Sequence, residues 1–468
     1  MKKNKALTAG LGYTVGNVLI KGINFLVLPI FSRLMTTDEF GVFNVFMSYD
    51  AILYIIVGFA IHSSMKSAHY EFKGKTDQYV SSVSLIYLQN MFILLILVNC
   101  MAGILSPLMG FKRIVLNMLV FYSFGSAIIT LYNERISLDY AYKKYLIVAF
   151  MNSLCNVSFS LILIFTAFRN ERDIGRILGA TTAVFGLSII LICTLYAKAR
   201  PRFNKKYWSF ALKYSLPIVP HGISQILLSQ FDRIMIRNIV SDSAAGIYSL
   251  AGNIKLILTI ITTSISSAWS TWFYSAIDQG KTHDIQKSAT QLTALFTIFS
   301  VGLMAISPEL IFVLGGSEYD SGKYVAIPMI IDAFILFLYN VIVPSEYYYQ
   351  KTTYIMGGTM MAAIINIVTN YIFINQYGFI AAAYTTLFSY ICFLVLHIII
   401  SKRLIDFFVI PLKWIFVFSI IVLTCAAFDQ FFIDLLLIRW IACAVIVIPI
   451  ALVLLNSVKS KKMFNKLP

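Results

Sequence analysis

Apolar stretches of span length recur from one end of this 468-residue chain to the other, separated by short charged or turn-rich breaks. A helix needs about 20 such residues to cross roughly 30 Å of hydrocarbon. Cutting the chain at its breaks predicts fourteen spans, at 9–35, 41–65, 80–105, 114–133, 146–168, 176–196, 214–240, 247–273, 290–314, 323–350, 354–376, 378–400, 412–431 and 439–456. No break between them is long enough to hold a separate domain. The expected fold is therefore an all-α integral membrane protein with about 14 transmembrane helices.

Composition strengthens this and adds a topology. The chain is 59% apolar and 12% charged, with a mean hydropathy of +0.81. Soluble domains are nearer half apolar and a quarter charged. The basic start (Lys2, Lys3, Lys5) suits a signal peptide, but the segment after it is long, contains Lys21 and lacks a small-x-small cleavage site, so it is expected to stay as the first span. With an even number of spans, roughly two thirds of the 37 lysines and arginines fall in segments on one side, which predicts that both termini are cytoplasmic. The net charge of +16 then reflects topology and anionic headgroups, with no nucleic-acid surface implied. Trp208, Trp269, Trp272, Trp414 and Trp440 fall at expected span ends, as an aromatic belt would place them. The six cysteines are scattered through spans without paired spacing and read as small apolar side chains. The sequon Asn156-Val157-Ser158 lies mid-span, so no glycan acceptor follows from it.

The longest basic break, Lys198 to Lys213, is expected to lie along the inner interface as an amphipathic linker. It divides the chain into an N-terminal lobe of spans 1–6 (residues 1–197), the linker (198–213), a C-terminal lobe of spans 7–12 (214–405), and spans 13–14 with a basic tail (406–468). A weak repeat straddles it. Arg33-Leu34-Met35 and Phe40-Gly41-Val42-Phe43 resemble Arg233-Ile234-Met235 and Ala245-Gly246-Ile247-Tyr248, and each copy ends the first span of a half. Two like halves around a central cavity is a plan common among secondary transporters. No phosphate-binding Gly-rich loop, zinc-protease motif, Cys-x-x-Cys or serine-nucleophile elbow is present. Neither a cofactor nor a bound metal is expected.

Ionisable groups inside spans are costly and so are candidates for function. Thr14, Asn17, Lys21 and Asn24 share one face of span 1. At 1.5 Å per residue, Lys21 lies about 18 Å into the span, near the bilayer centre. Gly252, Lys255, Thr259, Thr262 and Ser266 share a face of span 8. Each lysine either lines a cavity or sits in a structural ion pair. In span 7, His221, Gln225 and Asp232 are spaced by four and seven, beside Arg233, while Pro217 and Pro220 interrupt its start. Span 2 sets Asp50, Tyr54, Gly58 and His62 at steps of four, and span 10 sets Asp332, Tyr339 and Glu346 at steps of seven. Carboxylates and histidines so placed serve either ion coupling or the neutralisation of Lys21 and Lys255. Arg33 and Arg237 lie near outer span ends, as anchors or ligands. Buried cations among Asn, Ser, Thr and Tyr suit an anionic, phosphate-bearing substrate with hydroxyls.

The stretch Asn24-Phe25-Leu26-Val27-Leu28-Pro29, with Arg33-Leu34-Met35-Thr36-Thr37-Asp38-Glu39-Phe40-Gly41, resembles the first-span signature of Wzx-type polysaccharide flippases of the multidrug/oligosaccharidyl-lipid/polysaccharide exporter (MOP) superfamily. Asp232-Arg233-Ile234-Met235-Ile236, through Ala245-Gly246-Ile247-Tyr248-Ser249 to Asn253-Ile254-Lys255, is similar to the second-half signature. The resemblance implies a bacterial inner-membrane flippase moving an undecaprenyl-diphosphate-linked oligosaccharide unit to the outer leaflet by alternating access, driven by an ion gradient or the membrane potential. The surface polymer served would be an O-antigen, capsule or exopolysaccharide. It also implies a polysaccharide polymerase and a chain-length regulator as partners. Lys21 and Lys255 fall where lipid II-flipping relatives carry cationic cavity residues, with Asn17, Asn24, Arg33 and Arg233 as further substrate contacts. The alternatives are a drug/cation antiporter of the same superfamily, which should present acidic cavity residues, and a membrane-embedded polymerase or glycosyltransferase, which should carry a large external loop.

Overall fold

The computed structural model describes residues 2–459, without side-chain placement for residues 2–11, 14, 17, 18, 24 and 456–459. Among the described residues there is no strand. The chain forms fourteen long helices: α1 (Lys2–Leu34), α2 (Thr37–Gly58), α3 (Thr76–Cys100), α4 (Arg113–Ser137), α5 (Tyr142–Thr166), α6 (Arg172–Lys198), α7 (Val219–Ile239), α8 (Asp242–Asp278), α9 (Thr282–Gly315), α10 (Lys323–Ile342), α11 (Thr352–Tyr377), α12 (Phe379–Ile405), α13 (Leu412–Phe431) and α14 (Leu436–Lys459). Among the described residues, twelve of these are long and apolar enough to cross a membrane. Helices α1 and α7 carry the polar residues singled out in spans 1 and 7. The chain is a multi-pass all-α membrane protein.

It divides into two compact units, Met1–Gly246 and Ile247–Pro468, with the boundary in the first turns of α8. In the first unit, α6 packs on α5 and α4, α2 packs on α4 and α7, and α1 lies along α5. The basic stretch after α6 contains the helix Lys205–Ser215, whose first turn is capped by the Asn204 side chain, accepting from the N–H groups of Lys206 (3.0 Å) and Tyr207 (3.2 Å). This helix seats Tyr207 and Phe210 against Phe72 and Tyr79, and the Trp208 indole donates to the Ser82 carbonyl at 3.0 Å. In the second unit α10 is the central element, with 83% of its span buried, against 6% for the peripheral α14. It packs between α9 and α12, and α11 lies along α12.

Two expectations need correction. Span 2 does not continue past Gly58. Phe59 and Ala60 both take left-handed backbone (φ 45° and 52°), and a 3-10 turn, Ile61–Ser64, follows. Two such non-glycine residues in succession are strained by about 1–3 kcal/mol each. The break is held by Asn90, which donates to the carbonyl of Val57 at 2.9 Å. His62 therefore leaves the face shared by Asp50 and Tyr54. The second correction concerns Trp269, which is 4% exposed rather than part of an interfacial belt. Its indole donates to the Val341 carbonyl at 2.9 Å, where α10 gives way to the short helix Pro344–Tyr348. The last carbonyls of a helix lack intrahelical partners, and the Trp269 indole supplies one here.

Candidate functional site

The two signature stretches build helix ends. Thr36 and Glu39 form a capping box at the start of α2: the Thr36 N–H donates to Glu39 Oε2 (2.9 Å) and the Glu39 N–H to Thr36 Oγ1 (3.2 Å). Glu39 Oε1 also accepts the Arg172 N–H at 3.0 Å, tying α2 to α6. Arg237 does comparable work at the turn from α7 to α8. Its guanidinium pairs with Asp242 (2.6 Å), donates to the carbonyls of Met109 (3.1 Å) and Gly110 (2.7 Å), and lies 4.3 Å from the centre of the Phe111 ring. The two repeat copies meet each other. Cβ atoms added at Gly41 and Gly246 would lie 1.9 Å from the Asp242 carbonyl oxygen and 2.2 Å from that of Thr37, so only glycine permits this backbone approach. Ser243 donates to Thr37 Oγ1 across the same crossing at 2.7 Å.

The two central lysines differ. Lys255 on α8 pairs with Asp332 on α10 at 2.6 Å and points at the Tyr390 ring of α12 from 5.4 Å. Its side chain keeps 20% exposure, while that of Asp332 is 2% exposed. Lys21 is exposed, and among the described residues no carboxylate pairs with it. Positions Gly12 and Gly16 bring α1 against Tyr142 and Leu146 of α5. At 100° per residue, Lys21 projects from nearly the opposite side. Asn17 and Asn24 lie outside the described side chains.

The remaining candidates scatter. Arg33 is exposed in the last turn of α1, and Arg233 donates to Gln230 on its own helix at 2.5 Å. Asp232 is buried. His221 sits half-buried beside the contact of Gly222 with Ile55, its Nδ1 enclosed. Asp50 is 7% exposed and accepts from Ser126 Oγ at 3.4 Å, with its other oxygen enclosed and unbonded. His62 is carried on the 3-10 turn beyond the α2 break. Glu346, on the short helix after α10, is fully buried and bonds His397 of α12 at 2.6 Å.

Three features escaped the span patterns. His397 falls inside an apolar run and gains meaning only from its partner. Arg176 on α6 is 9% exposed, held by Asn156 (2.8 Å) and Ser160 (2.7 Å) and set over the ring of Phe31 at 3.7 Å. Asn366 and Asn370 on α11 meet Thr386 and Thr385 on α12 in a sealed polar seam, with Asn366 donating to Thr386 at 2.8 Å. The spacing of Asn366 and Asn370 by four with Thr385-Thr386 nearby was the signal available in the sequence. Among the described residues no group of His, Cys, Asp and Glu is arranged to hold a metal ion.

The comparisons with known proteins agree with one another. The family model described as "Polysaccharide biosynthesis protein" matches residues 7–274, and the MatE model matches 217–372. The "Lsg locus putative protein 1" of Haemophilus influenzae is 23% identical over 365 residues, covering 75% of this chain and 87% of its own length. The "Probable low-salt glycan biosynthesis flippase Agl15" of Haloferax volcanii is 21% identical over 394 residues, covering 82% and 80%. Among solved structures, the lipid II flippase MurJ in an inward closed conformation superposes with a TM-score of 0.73 at 15% identity, over 95% of this chain and 99% of its own. An inward-facing multidrug resistance MATE family transporter of the MOP superfamily gives 0.65 at 12% identity, over 84% and 94%. The chain has the fold of these transporters and belongs to the polysaccharide biosynthesis protein family.

Proposed function

We propose that this protein is a flippase that carries an undecaprenyl-diphosphate-linked oligosaccharide unit from the inner to the outer leaflet of a bacterial cytoplasmic membrane for surface polysaccharide synthesis. Both termini face the cytoplasm in this reading. The cycle is alternating access between two six-span lobes, residues 1–197 and 214–405, joined by the basic linker 198–213. Spans 13–14 and the tail (406–468) stand outside it. The work is binding and translocation, with no covalent chemistry.

The observation that carries the reading is Lys21. An ammonium group near the bilayer centre costs about 2.5–3.5 kcal/mol. This one has no carboxylate partner among the described residues and projects away from the helix that α1 packs on. A diphosphate is a fitting counter-ion, because charge-assisted bonds to phosphate oxygens are short and strong. Asn17, Asn24, Arg33, Arg233 and the partly open Lys255 are the further contacts proposed for diphosphate and sugar hydroxyls. Asp50, His62, His221, Asp232, Asp332 and Glu346 are the ionisable groups available for coupling. The Agl15 relative is itself described as a probable glycan biosynthesis flippase, which supports the substrate class. A cation exporter would need a net acidic centre.

Deleting the gene and measuring both surface glycan and glycan attached to undecaprenyl diphosphate tests the proposal. Loss of surface polymer with accumulation of single lipid-linked units supports it. Normal surface glycan with heightened sensitivity to cationic drugs would instead favour the antiporter.

A further inference from the structure

Glu346 and His397 are placed unlike any other titratable pair in the described structure. Both side chains are 0% exposed, and His397 Nδ1 lies 2.6 Å from Glu346 Oε1. Around them the protein offers little polarity. The Tyr339 ring meets the imidazole edge-on at 4.9 Å, and Phe393 does so at 4.4 Å. On the far side Gly358 of α11 leaves room for the ring and nothing else, since a Cβ there would sit 2.5 Å from His397 Nε2. Both His397 Nε2 and Glu346 Oε2 are enclosed without a hydrogen-bond partner. The titratable groups facing the pair are Tyr339 from α10, Tyr347 beside Glu346 and, through Tyr347, Tyr274 from α8. No lysine or arginine forms an ion pair with Glu346 among the described residues.

Charge arithmetic follows from this enclosure. With one proton more than imidazole plus carboxylate, the pair is neutral overall, whether written as imidazolium–carboxylate or imidazole–carboxylic acid. Without that proton it carries a net negative charge in a site sealed from water, at a cost of several kcal/mol. Release of the proton to water therefore demands that the site open. The backbone next to the pair is suited to opening. Glu346 stands two residues after Pro344, on the five-residue helix that follows the end of α10 at Ile342.

The pair is also the second tier of a ladder. On α10, Asp332 and Tyr339 are two turns apart on one face. On α12, Tyr390 and His397 are likewise two turns apart, about 10 Å by helical rise. The first tier is Lys255–Asp332 with Tyr390, and the second is Glu346–His397 with Tyr339. A shift of α10 relative to α12 that opens one tier must disturb the other.

We propose that Glu346 and His397 form a proton-binding site, loaded when the α10–α12 seam is closed and emptied when it opens, which couples a proton to the movement of Lys255–Asp332. For its transport readout the inference rests on the flippase reading. For proton binding it does not. The test uses the purified full chain in lipid nanodiscs with nitrogen-labelled histidine. There are five histidines, and His397→Gln identifies the resonance of interest. The His397 resonance should respond to pH in the wild type, and that response should differ in Glu346→Gln, whose amide cannot share the proton. In vesicles loaded with a lipid-linked oligosaccharide, wild-type flipping should change with pH by up to about tenfold per unit over the same range, as one proton allows. That dependence should flatten in Glu346→Gln, whose amide keeps the shape and hydrogen bond of the acid. A His397 that does not titrate, or whose titration ignores Glu346→Gln, overturns the proposal. So does an unchanged pH slope of transport in that variant. Intact titration without flipping by the wild type leaves the proton site standing and removes the flippase reading.

Discussion

Lys21 and Lys255 look alike in the sequence, each a single cation on a polar face of an apolar span, and the structure separates them. Lys255 reaches Asp332 at 2.6 Å and shares it with the face of Tyr390. Lys21 stands exposed, without a carboxylate among the described residues. A paired buried cation is held in place by its partner, and removing one member leaves the other stranded. An unpaired one contributes nothing to the fold that would offset its cost, so its benefit has to come from a ligand. The two lysines should accordingly fail in opposite ways when replaced: one through stability, the other through transport.

The sharpest break in that comparison comes from Asp332. Asp332→Leu should destabilise the protein by about 3–5 kcal/mol in a thermal or denaturant unfolding assay, because Lys255 is left without its counter-charge. The double variant Asp332→Leu/Lys255→Met should recover most of that loss. If the single and double variants are equally unstable, the pair is not what organises this seam. Next in size is Lys21→Ala. It should lower flipping by roughly 10- to 150-fold, the equivalent of the 1.5–3 kcal/mol of a charged hydrogen bond, with an unchanged melting temperature. A fall in stability comparable to that of Asp332→Leu would mean that Lys21 is structural after all.

Gly41→Ala tests the crossing where the repeat copies meet. The added methyl would overlap the Asp242 carbonyl, so a loss of about 1–3 kcal/mol is expected, visible as a lower melting point. The smallest effect should be that of Ser126→Ala, which removes a 3.4 Å bond to Asp50. A change in stability under about 1 kcal/mol is expected there.

The order and rough positions of the long helices were legible because apolar length largely specifies them. The face of span 10 was legible too: Asp332 and Tyr339 stand two turns apart on α10, and Glu346 rejoins them through His397. Helical periodicity assumes an unbroken helix, however. Nothing local in Gly58-Phe59-Ala60 announces a double left-handed turn, which Asn90 stabilises from another helix. Spacing placed His62 on the Asp50 face and the backbone took it off. Partnership was the other limit. The sequence could say that Lys255 was either a cavity residue or an ion-pair member, but the identity of the partner, 77 residues away on α10, lies in tertiary packing. Arg176, at the charged start of α6, and His397, isolated in an apolar run, went unnoticed for the same reason: their partners Asn156, Ser160 and Glu346 reach them only through packing. The signature residues Thr36 and Glu39, and the span-end Arg237, turn out to hold helix ends together.

The most direct test of the central claim is a leaflet assay on sealed vesicles containing the purified protein and a labelled undecaprenyl-diphosphate oligosaccharide, comparing wild type with Lys21→Ala at equal protein content. Wild type should move the label across the bilayer, and the variant should do so at a tenth of the rate or less, with equal thermal stability. Equal rates for the two proteins would contradict the role of Lys21, and no movement by wild type above protein-free vesicles would contradict the flippase function itself.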